Sequence, residues 1–264
     1  MLYIFVLIFG TVAYLLLFLY ATPVTVAAGA ILFLFLVWFS LSIFVVQVPF
    51  FCRTKTKGDS RRFEVALTFD DGPHQKYTSR ILDILKEEDV KVTFFLVGEK
   101  AEKNIAIVRR IVKEGHQIGN HSMSHKHLLS LQREKSQIKE MEECQSAIFD
   151  TTGISPSCYR PPMGYKTPST HMAAKRLGLT IVGWDIKGWD VFQADPEKIA
   201  SSILNRVGRG SIILLHDSSS VKGKSTDRTP TIDALSTIIS GLKERGLKPV
   251  TLEELFASDT GAEK

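Results

Sequence analysis

Short apolar runs alternate with helical patterns along most of this chain, and that alternation limits the fold more than any other feature. The apolar runs predict strands at Val65–Phe69, Val92–Val97, Gln117–Asn120, Cys158–Arg160, Thr180–Trp184, Ser211–Leu215 and Pro249–Leu252. The helical patterns predict helices at Thr78–Glu88, Glu99–Glu114, Ser130–Phe149, Pro168–Leu177, Pro196–Val207 and Thr231–Arg245. Because strands joined through helices run parallel, this order predicts an α/β fold built on a closed or nearly closed barrel.

The first 52 residues contain no Asp, Glu, Lys, Arg or His. Two apolar runs in this block, at 2–20 and 24–50, are each long enough to cross a hydrocarbon core of about 30 Å. We therefore expect a two-helix transmembrane hairpin at 1–52, a basic juxtamembrane linker at 53–62, a catalytic domain at 63–257 and a polar tail at 258–264. A cleaved signal peptide is the alternative for the first run, but no basic segment precedes it.

The net charge of +5 is small for 264 residues, and part of it is a basic cluster directly after the apolar block. The cluster consists of Arg53, Lys55, Lys57, Arg61 and Arg62. Basic residues beside a membrane span usually stay in the cytoplasm, which favours an inward-facing domain, but they also bind anionic headgroups on either face. The charge predicts no nucleic-acid partner, and the sequence indicates no protein partner.

Five of the predicted strands end in ionisable or aromatic residues. These are Asp70 and Asp71, His121 and His125, Arg160, Trp184 and Asp185, and His216 and Asp217. In parallel barrels the carboxyl ends of the strands meet at one rim, where the active site lies. A barrel with only a structural role has no need of such residues there, so we expect this rim to carry the chemistry.

The two aspartates after the first strand are expected to have different roles. Adjacent residues in an extended segment point to opposite sides, so one can bind a metal while the other acts as a base. His121 and His125 are four residues apart, and on one helical turn both imidazoles would bind the same ion. With Asp71 they form a two-histidine, one-carboxylate set for a divalent metal, with zinc preferred and Co²⁺, Mn²⁺ or Ni²⁺ as other candidates.

Hydrolysis of an amide needs a base and an acid in addition to such a metal. The base takes a proton from the attacking water, and we assign this role to Asp70. The acid protonates the departing amine, because a free amide anion is too poor a leaving group. We assign this second role to His216, which follows an apolar strand and should emerge at the rim.

The segments Thr68–Pro73, His121–His125, Arg160–Gly164 and Leu214–Asp217 resemble, in order, motifs of the polysaccharide deacetylases with a NodB-homology domain, carbohydrate esterase family 4. The resemblance covers about residues 65–256. It implies a distorted parallel (β/α) barrel that hydrolyses the N-acetyl group of an amino sugar. It also implies that Arg160 pairs with the Asp70 carboxylate and that the Met163 N–H helps to bind the oxyanion.

The fourth motif departs from the family pattern. The family often shows Asp-x-x-Asp-Trp, whose second aspartate orients the catalytic histidine, and this chain has Gly188 at the position expected for that aspartate. Either Asp185 or Asp190 replaces it, or the pKa of the histidine is set differently. Trp184 and Trp189 are candidates for a sugar-binding groove with these two aspartates, and core packing is the alternative for both tryptophans.

The leading interpretation is an N-deacetylase of peptidoglycan or another N-acetylglucosamine polymer, held at a bacterial-type cell membrane. The resemblance implies that the catalytic domain lies outside the cytoplasm, whereas the basic cluster after the apolar block favours a cytoplasmic domain. A deacetylase or deformylase of a lipid-linked amino sugar is the first alternative, since the segment from Phe51 to Arg62 spans at most about 40 Å when extended. An inactive glycan-binding relative is the second, although the chain retains the metal ligands and the base.

Overall fold

A computed structural model describes residues 9–12, 23–45, 54–219 and 227–257. Its strands are β1 (Glu64–Asp70), β2 (Thr93–Leu96), β3 (Gln117–Asn120), β4 (Cys158–Tyr159), β5 (Thr180–Ile181), β6 (Ile186–Lys187), β7 (Ile212–His216) and β8 (Lys248–Val250). They form one 8-stranded sheet in the order β5-β4-β3-β2-β1-β7-β6, and β8 also pairs with β1. Every pairing between these strands is parallel.

The sheet forms a distorted parallel β/α half-barrel, which confirms the predicted class of fold. β5 and β6 are its two ends. The segment before β1 pairs with two separate parts of the sheet. Lys55 forms a β-bridge to Val182, just after β5, and Lys57 forms one to Ser211, just before β7. Part of the segment predicted as a linker is therefore hydrogen-bonded to the half-barrel.

Alternate residues of β1 face opposite sides of the sheet. Val65, Leu67 and Phe69 belong to the largest buried apolar cluster, which the sheet shares with the surrounding helices. Ala66 belongs to a second buried cluster, formed mostly by strand residues. Asp70 lies on the same side of β1 as Ala66, so its carboxyl group is directed to the interior of the half-barrel.

The helices that cover the sheet begin and end close to the predicted positions. They are α2 (Gln75–Glu87), α3 (Gly98–Lys103), α4 (Ile105–Lys113), α5 (Glu134–Thr152), α6 (Pro168–Arg176), α7 (Pro196–Leu204), α8 (Thr229–Glu244) and α9 (Leu252–Ala257), and α1 (Pro23–Phe44) precedes the domain. A side chain caps the start of α2, α6 and α7. The Asp195 side chain, for example, accepts the N–H groups of Glu197 and Lys198 just before α7.

Several elements differ from the prediction. The strand predicted at Thr180–Trp184 ends at Ile181, and α9 was not predicted. The helix predicted at Glu99–Glu114 is two helices, because Asn104 leaves the helical conformation with φ −130° and ψ 45°. The strand predicted at Pro249–Leu252 is shorter and passes directly into α9. β6 was not predicted, since two residues are too few to show the alternation of a strand. Its pairing with β7 positions part of the rim described below.

The predicted transmembrane hairpin falls partly on residues that the structure does not describe. The first run, 2–20, lies outside the described residues apart from 9–12, as does the tail at 258–264. The second run contains α1. Among the described helices, none is long and apolar enough to cross a membrane. The end of α1 contacts the domain, where Lys166 donates its backbone N–H to Ile43 O at 3.1 Å and its Nζ to Val45 O at 2.8 Å.

Candidate active site

The register between β1 and β7 brings two of the predicted catalytic residues together. Asp70 is the last residue of β1 and is paired directly with His216, the last residue of β7. Both side chains line one pocket at the carboxyl ends of the strands, and the three predicted metal ligands line the same pocket. The rim predicted from the strand order thus exists, and the sheet register decides which residues face each other across it.

Asp70 is held by an arginine inside the half-barrel. Nη1 of Arg160 donates to Asp70 Oδ1 at 2.7 Å and to Thr68 Oγ1 at 2.7 Å. Nη2 of Arg160 donates to Gly183 O at 2.8 Å, and its guanidinium lies over the Phe95 ring. Because Arg160 is completely buried, this pairing gives Asp70 a charged hydrogen-bond partner inside the enclosed site.

Three metal-binding side chains converge beside Asp70. Oδ1 of Asp71 lies 3.1 Å from His125 Nε2 and 3.6 Å from His121 Nε2. One ligand atom from each of the three residues lies within 4.8 Å of the other two. All three residues are buried. Asp71 has a positive φ of 74°, which turns its side chain away from the direction that Asp70 takes at the end of β1.

A loop, not the helical turn that we expected, brings the two histidines together. Ser122 and His125 both have positive φ values, 65° and 50°. The backbone N–H of His125 donates to Ser122 Oγ at 3.0 Å, and that of Ser122 donates to the Asn120 side chain at 2.9 Å. These hydrogen bonds fold the five-residue motif back on itself, so both rings face Asp71.

The protonation of these groups fits a divalent metal. Nδ1 of His121 donates to Arg160 O at 2.7 Å, which leaves the Nε2 lone pair directed at the site. Burial and the neighbouring His121 lower the pKa of His125 to about 3, so its imidazole is neutral. Burial alone would raise the pKa of Asp71, but the surrounding histidines hold it below its usual range. Two imidazoles and one carboxylate are ligands that zinc and similar ions bind.

Asp190 orients the candidate acid. Its Oδ1 lies 2.9 Å from His216 Nδ1, and its Oδ2 accepts the His216 backbone N–H at 2.8 Å. Burial by itself lowers the pKa of His216, but the charge and hydrogen bond of Asp190 outweigh it and raise the pKa above its usual value. Of the two candidates for the missing aspartate of the fourth motif, Asp190, two residues after Gly188, contacts His216, and Asp185 does not.

The oxyanion candidate Met163 and the predicted groove residues other than Asp190 are divided between two places. Met163, with φ 60°, and Trp184 line the pocket. Trp189 is 49% exposed, and its ring centroid lies 6.5 Å from that of Phe192, another pocket residue. Asp185 instead accepts hydrogen bonds from Ser211 Oγ at 2.9 Å and the Ile212 N–H at 2.7 Å, at the opposite end of β7 from the catalytic histidine.

Lys100 supports the rim and was not found from the sequence. Its Nζ donates to Asp71 O at 2.6 Å, to Ser218 Oγ at 2.9 Å and to Ser219 O at 3.0 Å. It thereby connects the loop of the metal-binding aspartate to the loop that follows His216. A lysine in a helical pattern with many charges gives no sequence signal for such a role.

Glu140, on α5, supports the histidine loop. Its carboxylate accepts the backbone N–H of Ser124 at 2.9 Å and the Ser124 hydroxyl at 2.7 Å. Nζ of Lys126 donates to the same carboxylate at 2.7 Å.

The position of Gly72, after the two aspartates, has no room for a side chain. A Cβ atom there would lie 2.2 Å from an oxygen of the buried Asp217.

The half-barrel, the three candidate ligands and the facing Asp70 and His216 form the arrangement expected of a hydrolase that uses a divalent metal. The model of the family described as "Polysaccharide deacetylase" matches residues 57–182. A peptidoglycan-N-acetylglucosamine deacetylase of Bacillus cereus is 39% identical over 201 residues, which cover 75% of this chain and 70% of the relative. The chain belongs to the polysaccharide deacetylase family, whose deacetylases are metal-dependent hydrolases of amide bonds.

Two solved structures agree with this assignment. A peptidoglycan N-acetylglucosamine deacetylase in complex with a naphthalenyl N-hydroxybenzamide matches with a TM-score of 0.72 and 36% identity, covering 77% of this chain and 92% of that one. A family 4 acetyl xylan esterase of Clostridium thermocellum in complex with a cobalt ion matches with a TM-score of 0.66 and 37% identity, covering 74% of this chain and 91% of that one.

Proposed function

We propose that this chain removes the acetyl group from the amide nitrogen of N-acetylglucosamine residues in peptidoglycan or a similar glycan. The observation that carries this proposal is the pairing of Asp70 with His216 across β1 and β7, beside the three metal-binding side chains. A base and an acid on opposite sides of one pocket match the two proton transfers of amide hydrolysis. The same arrangement argues against an inactive binding protein.

The residues have separate roles in this reaction. Asp70, fixed by Arg160, takes a proton from the attacking water. His216, whose pKa Asp190 raises, gives a proton to the departing amine. We assign stabilisation of the oxyanion to the backbone N–H of Met163, which lies at the rim of the pocket.

We assign the metal site to Asp71, His121 and His125, and zinc is the ion that this donor set favours. A bound divalent ion supplies Lewis acidity toward the acyl carbonyl and the attacking water. The chain contributes the fixed direction of the ligands. The Arg160 carbonyl holds the His121 ring, and Lys100 holds the backbone of Asp71.

The full chain in detergent is expected to release amine from N-acetylglucosamine oligomers when zinc is present. Removal of the metal with a chelator should abolish the release, and added zinc should restore it. The assay measures free amine against time, with boiled protein as the blank. Release that continues at the same rate after complete metal removal would contradict the proposed mechanism.

Asp190→Asn is expected to move the alkaline limb of the pH profile of kcat/KM to lower pH. The acid must be protonated to work, so activity falls as pH rises through the pKa of His216. Asp190 raises that pKa, and loss of its charge lowers it. Asp185→Asn is the matched control, because Asp185 contacts Ser211 and Ile212 instead, and its alkaline limb should not move. If the alkaline limb of Asp190→Asn stays where it is in the wild type, Asp190 does not set the pKa of the catalytic acid.

We further propose that the apolar residues 1–52 attach the protein to a bacterial-type cell membrane, with the catalytic domain on the extracytoplasmic side. Supporting this are the absence of charge in the block and large apolar side chains of α1 that are exposed, such as Ile31 at 69% and Leu34 at 65%. The basic residues that follow argue for the opposite side. A reporter fused after Lys264 tests the orientation, and a cytoplasmic signal would exclude a wall polymer as substrate.

A lipid-linked amino sugar is a second candidate substrate, and the position of α1 favours it. The contacts of Lys166 with Ile43 and Val45 attach the end of the apolar helix two residues from Gly164, which lines the catalytic pocket. The Phe44 and Tyr165 rings also meet, with centroids 4.8 Å apart. If α1 lies in a membrane, the pocket is close to the bilayer surface. Amine release from a lipid-linked N-acetyl sugar in the same assay tests this candidate.

A further inference from the structure

The position of Asp190 changes how the fourth motif is aligned. If Asp190 is the second aspartate of Asp-x-x-Asp, the first position of the motif falls on Lys187. A carboxylate at that place in the family pattern is thus replaced by an ammonium group in this chain. A positive charge therefore stands where the family pattern has a negative one. If this charge lies near the bound substrate, it changes which substrates bind.

Lys187 lies in the wall of the catalytic pocket. It is the second residue of β6 and pairs with Leu214, two residues before His216 on β7. Lys187 and Leu214 both line the pocket that contains Asp70 and the metal-binding residues. A substrate whose acyl group reaches the metal ligands therefore passes close to this side chain.

Two aromatic rings hold the ammonium group at the wall. Nζ of Lys187 lies 4.7 Å from the centroid of the Trp189 ring and 6.0 Å from that of the Phe192 ring. Both rings are well exposed, at 49% and 64%. Contact with aromatic faces orients a cation without removing its charge.

The acidic groups of the pocket contact other side chains. Asp70 is 2.7 Å from Arg160, and Asp71 is 3.1 Å from His125. Arg160 therefore supplies the charge that balances Asp70, and Asp71 belongs to the candidate metal site. We propose that Lys187 is a specificity-determining residue that binds an anionic group, a carboxylate or a phosphate, carried by the substrate next to the acylated amine. This inference rests on the proposed deacetylation of an amino sugar.

The test compares one neutral and two anionic substrates with the full chain loaded with zinc. The neutral substrate is N-acetylglucosamine tetrasaccharide. The carboxylate substrate is the disaccharide of N-acetylglucosamine and N-acetylmuramic acid, and the phosphate substrate is N-acetylglucosamine 1-phosphate. Lys187→Met should lower kcat/KM for at least one anionic substrate by about fivefold, through KM, and leave the neutral substrate within about twofold.

Control variants separate charge from packing. Lys187→Arg should keep the preference for the anionic substrate, because it keeps the cation. Lys198→Met removes a lysine on the exposed side of α7, where Nζ lies 3.7 Å from Asp195, and should leave the preference unchanged. Raising the salt concentration should reduce the difference in kcat/KM for the anionic substrate between wild type and Lys187→Met, because salt screens charge interactions.

The outcomes are distinct. Loss with the phosphate substrate alone identifies a phosphate as the ligand, and loss with the disaccharide alone identifies a carboxylate. An equal change for all three substrates overturns the inference while the proposed function stands. If the wild type releases amine from none of the three substrates, calorimetric Kd values for the same compounds still test whether Lys187 binds the anionic group. Weaker binding of an anionic compound by Lys187→Met then supports the inference without the function, and unchanged binding overturns both.

Discussion

Asp70→Asn is expected to lower kcat for amine release by between about 10²- and 10⁴-fold, the range that general-base catalysis supplies. The amide cannot take the proton that Asp70 takes, but its oxygen still accepts from Arg160, so the fold and the metal site should persist. The measurement is initial rate against substrate concentration for the two proteins at equal metal loading. KM should change little, because Asp70 acts on the proton of the attacking water.

Two controls keep this result interpretable. Metal content per chain and Tm, measured on the same samples, show whether the variant has lost its site or its fold. Asp185→Asn removes a carboxylate near the opposite end of β7 and provides a matched control for the loss of one acidic group. Turnover that remains intact in Asp70→Asn would show that another group is the base.

His121→Ala should weaken binding of zinc by more than about 100-fold and abolish turnover at limiting metal. Loss of a group that only orients a ligand costs about 10- to 100-fold in affinity, and loss of the ligand itself should cost more. The ring also holds its place through the 2.7 Å hydrogen bond to Arg160 O, so the variant loses a contact to the segment beside the base. Competition with a chromogenic chelator measures the affinity.

His171→Ala is the matched control, because His171 lies on α6, away from the pocket. It should bind one zinc per chain with the affinity of the wild type. If His121→Ala also binds one metal per chain with undiminished affinity, the proposed set of ligands is wrong.

Most of the fold could be predicted because its strands are short, apolar and regularly separated by helices. β1 and β7 were found within one residue at each end, since both are buried on two sides and contain few polar residues. β6 was missed because it has two residues and is a strand only through its pairing with β7. The helix at Glu99–Glu114 was predicted whole because nothing in the periodicity marks the break at Asn104.

The sequence left two candidates for the aspartate that orients His216, whereas it gave a single candidate, Asp70, for the base. Asp185 and Asp190 lie five residues apart, and both were candidates. The turn between β6 and α7 directs Asp190 to His216, while Asp185 stays at the start of β7. Trp189 in this turn has a positive φ of 59°, a conformation that no pattern of residue types predicts for a tryptophan.

The sequence by itself determined the kind of chemistry, because the aspartates, histidines and arginine of the site stand in short motifs at the ends of predicted strands. The tertiary structure decided how those motifs are joined. It placed Asp70 opposite His216, brought Asp190 to the histidine, folded the two metal-binding histidines through a loop and set Lys187 in the pocket wall. Such contacts connect residues far apart in the chain, and strand register and loop conformation fix them.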